Sequence, residues 1–335
     1  MNTTTAGPSE TSETPASRSG AGKPAPTRGL VRAVLRLHQS ALWFWGLLVL
    51  PAVGGLLWAA GPGADAAWAE YRAGDCAEGE YCASYLFDSA VTVGTVVLTI
   101  APVLIGAWAG GALIARELEN GTARLAWTQS VTPARWLAAK LAVPAVLIAS
   151  GTVLLTLLHR LLWWSDEELL RALGKESFTW ETFAAGGPVA TAWALLALAV
   201  GALAGLLIRR SLPALAVGFL GTAVIEGTLR VNRHLLWPAE TLVSKSTNTE
   251  WTDPEWTAPL VDQGAVTASG EHVSYVGCEG PACDGTDVVG YYAVYHPSSH
   301  FWPLQLVETG ITLALTALLV LAAFRLLRRR TGGAV

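Results

Sequence analysis

Residues 188–230 read PVATAWALLALAVGALAGLLIRRSLPALAVGFLGTAVIEGTLR. The segments 188–208 and 211–230 are predominantly apolar, and each has the length, roughly 20 residues, that a helix needs to cross the hydrocarbon core of a bilayer. Only Arg209 and Arg210 separate them. This pattern predicts two membrane-spanning helices that are joined as a tight hairpin.

The rest of the chain agrees with a membrane protein. Its 335 residues are 52% hydrophobic and only 14% charged, whereas soluble domains carry roughly 25% charged residues. This composition excludes most soluble enzymes, and a net charge of −4 argues against nucleic-acid binding. We therefore predict an all-α integral membrane protein with six transmembrane helices, multi-pass in the cell (plasma) membrane. The four further spans are 41–60, 90–114, 137–160 and 303–324.

Charged residues are divided unevenly between the two sides of this topology. If the N-terminus is cytoplasmic, 15 of the 22 Lys and Arg residues lie inside, and 21 of the 26 Asp and Glu residues lie outside or at the outer edge. Because basic residues are retained on the cytoplasmic side, this distribution predicts that the N- and C-termini are both cytoplasmic.

All four cysteines fall in the predicted outer loops, where disulfides persist. They are Cys76, Cys82, Cys278 and Cys283. The local pairs Cys76–Cys82 and Cys278–Cys283 are the simplest of three possible connectivities, and four free thiols are the alternative.

Two flanking regions complete the predicted topology. Residues 1–27 lack large apolar side chains after Met1, which predicts a disordered cytoplasmic tail, and no signal peptide is visible. Arginines repeat every four residues over 28–36, which predicts an amphipathic N-terminal interfacial helix, or alternatively a basic flank without a fixed helix.

The outer loop 231–302 is expected to form a cap of short helices or loops. His296 and His300 have helical spacing, but Pro297 between them disfavours a metal site, so no metal is predicted.

The segment 116–136 reads RELENGTARLAWTQSVTPARW and carries the strongest local signals. Asn120-Gly121 is a helix stop, with glycine suited to the left-handed position after the helix. Thr122 can cap a new short helix, and Thr132-Pro133 pairs an N-cap with proline at the first helical position. These signals predict a short exposed helix between two turns, which offers a polar face to a cytoplasmic partner.

The acidic residues followed by Gly-Thr in this segment, together with the six spans, resemble the permease subunits of type-2 ABC transporters (the ABC-2 type). The topology is covered from about 28 to 330, although the specific residues are confined to about 116–140, and the outer loop of about 70 residues is long for the family. The resemblance implies a permease domain over 28–330 that moves, by export, a small molecule, lipid or peptide. It implies an ABC ATPase subunit as partner and a second permease copy or homologue as dimer partner.

In that family the segment 116–136 acts as the coupling segment that docks into a groove on the ATPase. The resemblance implies ATPase-coupling roles for Glu117, Glu119, Gly121, Thr122, Arg124, Thr128 and Gln129. ATP and Mg would be bound by the partner ATPase, with no cofactor and no catalytic residue on this chain. The only Gly-Lys pairs, at 22–23 and 174–175, are followed by Pro and Glu and therefore do not form a phosphate-binding loop.

Glu226 and Arg230 lie four residues apart on one face of the fifth span. An ionisable group within the membrane usually faces a cavity or a partner. The pair therefore predicts either a polar point in the translocation path or at the protomer interface, or a structural ion pair that reaches the outer surface. Small residues at four-residue spacing allow close helix contact. They are Gly106, Gly110, Ala197, Gly201 and Gly205.

Two other classes of protein compete with a transporter. A membrane-embedded hydrolase needs a nucleophile and base or a metal group within the spans, and His159 is the only histidine there, with no carboxylate pair facing it. A non-transporting membrane receptor or anchor would explain the topology but not the capped helix in 116–136.

Overall fold

The computed structural model describes residues 39–74, 82–128, 131–244, 259–274 and 288–332. The predicted tail 1–27 and the interfacial helix after it lie outside these ranges. So do Gln129 and three of the four cysteines, so the disulfide pairing stays a prediction.

Among the described residues, six helical segments are long and apolar enough to cross a membrane, which agrees with the predicted number of spans. Their bounds are Trp45–Ala73, Ala83–Glu119, Pro133–Ser165, Val189–Ile208, Ser211–Val231 and Ser298–Arg330. Several are longer than predicted because the helices continue past the apolar stretch that hydropathy detects.

The first two spans are each interrupted by a short π-helical turn, and a short helix connects the second span to the third. The first span contains α1 (Gln39–Trp58) and α2 (Ala64–Ala73), joined by a kinked turn, Ala59–Gly63. The second contains α3 (Ala83–Ala107), a π-helical turn at Trp108–Ala112 and α4 (Leu113–Glu119). The short helix α5 (Thr122–Thr128) then leads to the third span, α6 (Pro133–Ser165).

The remaining helices flank a segment of β-structure. The short helices α7 (Glu167–Ala172) and α8 (Trp180–Ala185) precede the fourth span, α9 (Val189–Ile208), and the fifth, α10 (Ser211–Val231). The last span ends the described chain with α11 (Phe301–Arg330).

Short connections define two ends of the bundle. One end, which we call the turn end, holds α5, the α9–α10 hairpin and the C-terminus of α11. There the Glu119 carboxylate accepts a hydrogen bond from the Ser211 amide, and the Arg330 guanidinium donates to the carbonyl of Leu206. The opposite end, the sheet end, holds α7, α8 and the strands.

Helix α9 is the centre of the bundle and contacts α3, α6, α10 and α11. The glycines predicted to allow close helix contact bring the second span against it. A Cβ atom on Gly106 would lie 2.6 Å from the carbonyl oxygen of Ala194, and one on Gly201 would lie 2.8 Å from that of Ala107. The small residues therefore serve a contact within one chain, in which two helix backbones meet directly.

The segment between α10 and α11 contains a four-stranded antiparallel sheet, so the expectation of a cap made of short helices or loops was wrong. The strands are β1 (Glu240–Ser244), β2 (Leu260–Thr267), β3 (His272–Ser274) and β4 (Val288–Tyr295). Their order is β1-β4-β2-β3. In β2, Asp262 accepts hydrogen bonds from Ser274 in β3, at 2.6 Å, and from Tyr292 in β4, at 2.9 Å. These hydrogen bonds to its charged form lower the pKa of Asp262.

Candidate functional site

The turn between α4 and α5 is built as the sequence predicts. Asn120 donates its amide to the carbonyl of Arg116 at 3.0 Å, and Gly121 has a φ of +72°, the left-handed conformation that favours glycine. The Thr122 hydroxyl does not cap α5 as expected. It donates instead to the carbonyl of Glu117 at 3.2 Å and so satisfies the end of the preceding helix.

Glu117 is held inside the protein rather than offered to a partner. Its carboxylate forms an ion pair with Lys140 on α6 and accepts a hydrogen bond from the Trp136 indole nitrogen at 3.0 Å. The Lys140 side chain is 4% exposed and that of Glu117 is 18% exposed. Because a buried pair is costly to break, this contact fixes α4 against α6 just before the turn.

The same region is closed by aromatic packing and by the N-terminus of α6. Trp127 on α5 packs edge-to-face against Trp136, with ring centroids 5.7 Å apart. The Thr132 hydroxyl accepts a hydrogen bond from the Arg135 amide at 3.3 Å, with Pro133 at the first helical position, which confirms the predicted cap.

One face of α5 remains exposed. Ala123 is buried beneath the helix, whereas Arg124, Leu125 and Thr128 are exposed, and Leu125 is 59% exposed. A short helix with an exposed leucine and arginine, anchored on both sides by buried contacts, is suited to binding another protein as a rigid unit.

Glu226 and Arg230 do not form a salt bridge with each other within the described part of the chain. The Arg230 guanidinium lies 4.8 Å from the ring centroid of Trp180, and Glu226 lines a cavity of about 290 Å³ between α3 and α10. Thr99 and Phe219 line the same cavity. Glu226 therefore faces a cavity and is not paired with Arg230, and its place in a translocation path or at a protomer interface stays a prediction.

A second buried ion pair was not singled out from the sequence. Arg233 donates two hydrogen bonds to the Glu308 carboxylate, at 2.7 and 3.3 Å, and Glu308 is fully buried in α11. Arg233 also lies 3.9 Å from the ring centroid of Phe183. An acidic residue inside an apolar span is the signal that could have found this pair, because such a residue needs a partner.

His296 and His300 form a histidine pair at the sheet end. Their Nδ1 atoms are 3.3 Å apart, His300 lies 3.4 Å from Glu240, and His296 Nε2 donates to the carbonyl of His234 at 3.2 Å. Since His296 is 1% exposed, burial lowers its pKa, and the charges of His300 and His234 act in the same direction, while the hydrogen bond to the His234 carbonyl opposes them. Within the described residues, no three potential metal ligands come together.

This pair predicts a loss of stability in mild acid. Below the ordinary histidine pKa of about 6.5, His296 is protonated in the unfolded chain but stays neutral in the folded protein. The melting temperature should therefore fall as the pH drops from 7.5 to 5.5. Glutamine at position 296 keeps a donor for the His234 carbonyl but does not titrate. A His296→Gln chain with the same slope as the wild type over this range would contradict the assignment.

Comparison with known proteins agrees with the membrane architecture. The sequence model of the ABC-2 membrane transporter related family matches residues 47–233, which is more than half of the chain and includes α4, α5 and the α9–α10 hairpin. No curated protein and no solved structure matches the chain. The chain is a multi-pass membrane protein and belongs to the ABC-2 membrane transporter related family.

Proposed function

We propose that this chain is the permease subunit of an ATP-driven transporter and that α5 is the helix through which a separate ATPase subunit acts on it. The observation that carries the proposal is the exposed α5, which is fixed between the second and third spans at the turn end. Its exposed residues, Arg124, Leu125 and Thr128, would contact the ATPase. Glu117 has a different role in this proposal, because its contacts with Lys140 and Trp136 make it a positioning residue.

The proposal places ATP and Mg²⁺ on the partner chain. The Gly-Lys pair at 174–175 supports this, because the Lys175 ammonium forms an ion pair with Asp88 at 2.7 Å and donates to the Thr92 hydroxyl at 2.9 Å. These contacts tie the α7–α8 connection to α3 and give Lys175 a structural role.

Orientation and assembly follow from the charge distribution and the exposed spans. The turn end, with its excess of arginine, is placed in the cytoplasm of the cell, and the sheet end outside.

Helix α10 exposes large apolar residues such as Leu212, Leu220 and Val224. We place a second permease copy or homologue against this face, so that Glu226 and its cavity would lie beside the path between two protomers, with export as the direction.

A matched pair of glycine variants tests the coupling role of α5. Gly121 and Gly74 both end helices in the left-handed conformation, at φ +72° and +68°, and neither has an atom within 4 Å of its Cβ position. Valine at either position strains a turn, but only Gly121→Val displaces α5. We expect Gly121→Val to reduce the ATP hydrolysis that the permease stimulates in co-expressed ATPase by roughly 5- to 150-fold, the range of typical coupling energies. Gly74→Val should leave it unchanged.

Leu125→Glu provides a variant that leaves the turn intact. It introduces a charge on the exposed face of α5, where it should abolish co-purification of the ATPase while the melting temperature of the permease stays within a few degrees of the wild type. Co-purification and stimulated hydrolysis that survive both Gly121→Val and Leu125→Glu would contradict the proposal. Such a result would favour a non-transporting membrane receptor or anchor.

A further inference from the structure

Three arginines from three separate parts of the chain surround one small pocket at the turn end. Arg124 comes from α5, Arg209 from the α9–α10 hairpin and Arg330 from the end of α11. The pocket has a volume of about 80 Å³ and is otherwise lined by Trp127, Thr331 and three leucines. We propose that this pocket binds a single phosphate group, that of an anionic phospholipid headgroup.

The charges around the pocket are not paired with a carboxylate, although Arg330 donates a hydrogen bond to the Leu206 carbonyl. No Asp or Glu lines it, and within the described residues none of the three arginines forms a salt bridge. Two acidic residues of the same segment have other partners, because Glu117 pairs with Lys140 and Glu119 accepts a hydrogen bond from the Ser211 amide. Guanidinium groups that converge without a counter-charge repel each other, and a bound anion removes that repulsion.

Trp127, which lines the pocket, also carries a neutral donor without a partner in the described chain. The Trp127 indole nitrogen is buried and makes no hydrogen bond within the described chain. An indole nitrogen can only donate, so the group that satisfies it must be an acceptor. Phosphate oxygens accept from both guanidinium and indole N–H groups.

The backbone at Arg209 supports a role for its side chain. Arg209 ends α9 with a φ of +56° and is the only non-glycine residue with a positive φ among the described residues. This position favours glycine, and a side chain there is strained. An arginine at a glycine position is explained if its guanidinium contributes binding that offsets the strain.

The size and position of the pocket favour a lipid as the source of the phosphate. A volume of about 80 Å³ has room for a small anion such as one phosphate group. The pocket lies where three apolar helices end, and the nearby side chains of Leu207 and Leu212 are apolar and exposed. In the proposed orientation this is the level of the inner-leaflet headgroups. The inference goes beyond ATPase coupling and needs no ATPase partner.

Thermal unfolding of the purified chain in neutral detergent tests the proposal, with dioleoyl-phosphatidylglycerol, dioleoyl-phosphatidylcholine or inorganic phosphate added. A ligand that binds only the folded state raises the melting temperature. Arg209→Gln and Arg210→Gln are matched variants, since each removes one positive charge from the same hairpin but only Arg209 lines the pocket. We expect phosphatidylglycerol to stabilise the wild type and Arg210→Gln more than phosphatidylcholine does, and its apparent affinity to fall about tenfold or more in Arg209→Gln.

A second variant separates binding from folding. Arg209→Gly suits the backbone conformation, so it should be as stable as the wild type or more stable without lipid, yet lose the stabilisation by phosphatidylglycerol. Stabilisation by inorganic phosphate that depends on Arg209, with equal effects of the two lipids, would support the phosphate site but identify free phosphate as its source. Equal responses of the wild type, Arg209→Gln and Arg210→Gln to every addition would overturn the proposal. The proposal would also be overturned if no lipid and no phosphate had an effect and only Arg209→Gln lost co-purification of the ATPase. That result would identify the pocket as a protein-docking site.

Discussion

Replacing Gly110 with alanine is expected to destabilise the membrane domain strongly. A Cβ atom at Gly110 would overlap with the carbonyl oxygen of Leu198 and lie 2.7 Å from the amide nitrogen of Ala202. Both atoms belong to the backbone of α9, which contacts four other spans and cannot shift without disturbing all of them. Extra methyl groups in packed cores typically cost about 1–3 kcal/mol, and contact with fixed backbone belongs at or above the upper end of that range.

The effect is measured as the yield of monodisperse protein in detergent and as its melting temperature. Since native proteins are stable by only about 5–15 kcal/mol, a loss of this size removes much of the total. Gly54→Ala and Gly310→Ala are matched controls, because both glycines lie in helices and have no atom within 4 Å of the Cβ position. Alanine is the better helix former by about 1 kcal/mol, so these chains should be as stable as the wild type or more stable. If Gly110→Ala behaved like them, the direct contact between the second and fourth spans would be wrong.

Lys140→Met is expected to produce the second large effect. Methionine occupies a similar volume but removes the charge that Glu117 faces, which leaves a carboxylate that is 18% exposed with only the Trp136 indole as its partner. Removing one member of a buried ion pair costs about 3–5 kcal/mol. Because this pair fixes α4 against α6, the variant should also weaken stimulation of the ATPase by the permease.

A double variant and an exposed pair distinguish this effect from a general loss of charge. Glu117→Gln combined with Lys140→Met leaves no unpaired charge and should recover most of the lost stability. The Arg171–Glu167 pair on α7 has side chains that are 54% and 53% exposed, and such pairs contribute about 0–1 kcal/mol. Arg171→Met should therefore change the melting temperature little. Equal destabilisation by Lys140→Met and Arg171→Met would show that the 117–140 contact does not anchor the segment.

The features that were predicted correctly from the sequence are those with local signals. An apolar stretch long enough to span a bilayer identifies its helix without reference to any other part of the chain. The stop at Asn120-Gly121 and the cap at Thr132 were predicted for the same reason, since each depends on neighbouring residues. The family resemblance rested on the same local segment, and the family match confirms it.

The features that were missed depend on residues far apart in the chain. The sheet pairs β1 with β4 and β4 with β2 across long connections, which no local pattern specifies. Its one visible signal was the run VVGYYAVY at 288–295, which is rich in β-branched and aromatic residues. The contacts of Glu117 with Lys140, and of Arg233 with Glu308, likewise form only when separate helices pack together.

The contact with α9 divides the second span into two unequal parts. The span is one helical segment of 37 residues, Ala83–Glu119, about 55 Å long, and its direct contacts with the backbone of α9 include Gly106 and Gly110. About 14 Å of helix lies between Gly110 and Glu119, and about 40 Å lies between Gly110 and Ala83. We expect a rigid tilt of the span about Gly110 to move its sheet end about three times as far as its turn end, in the opposite direction. The short end lies beside α5, so a small displacement there would become a wider one at the opposite face of the bundle.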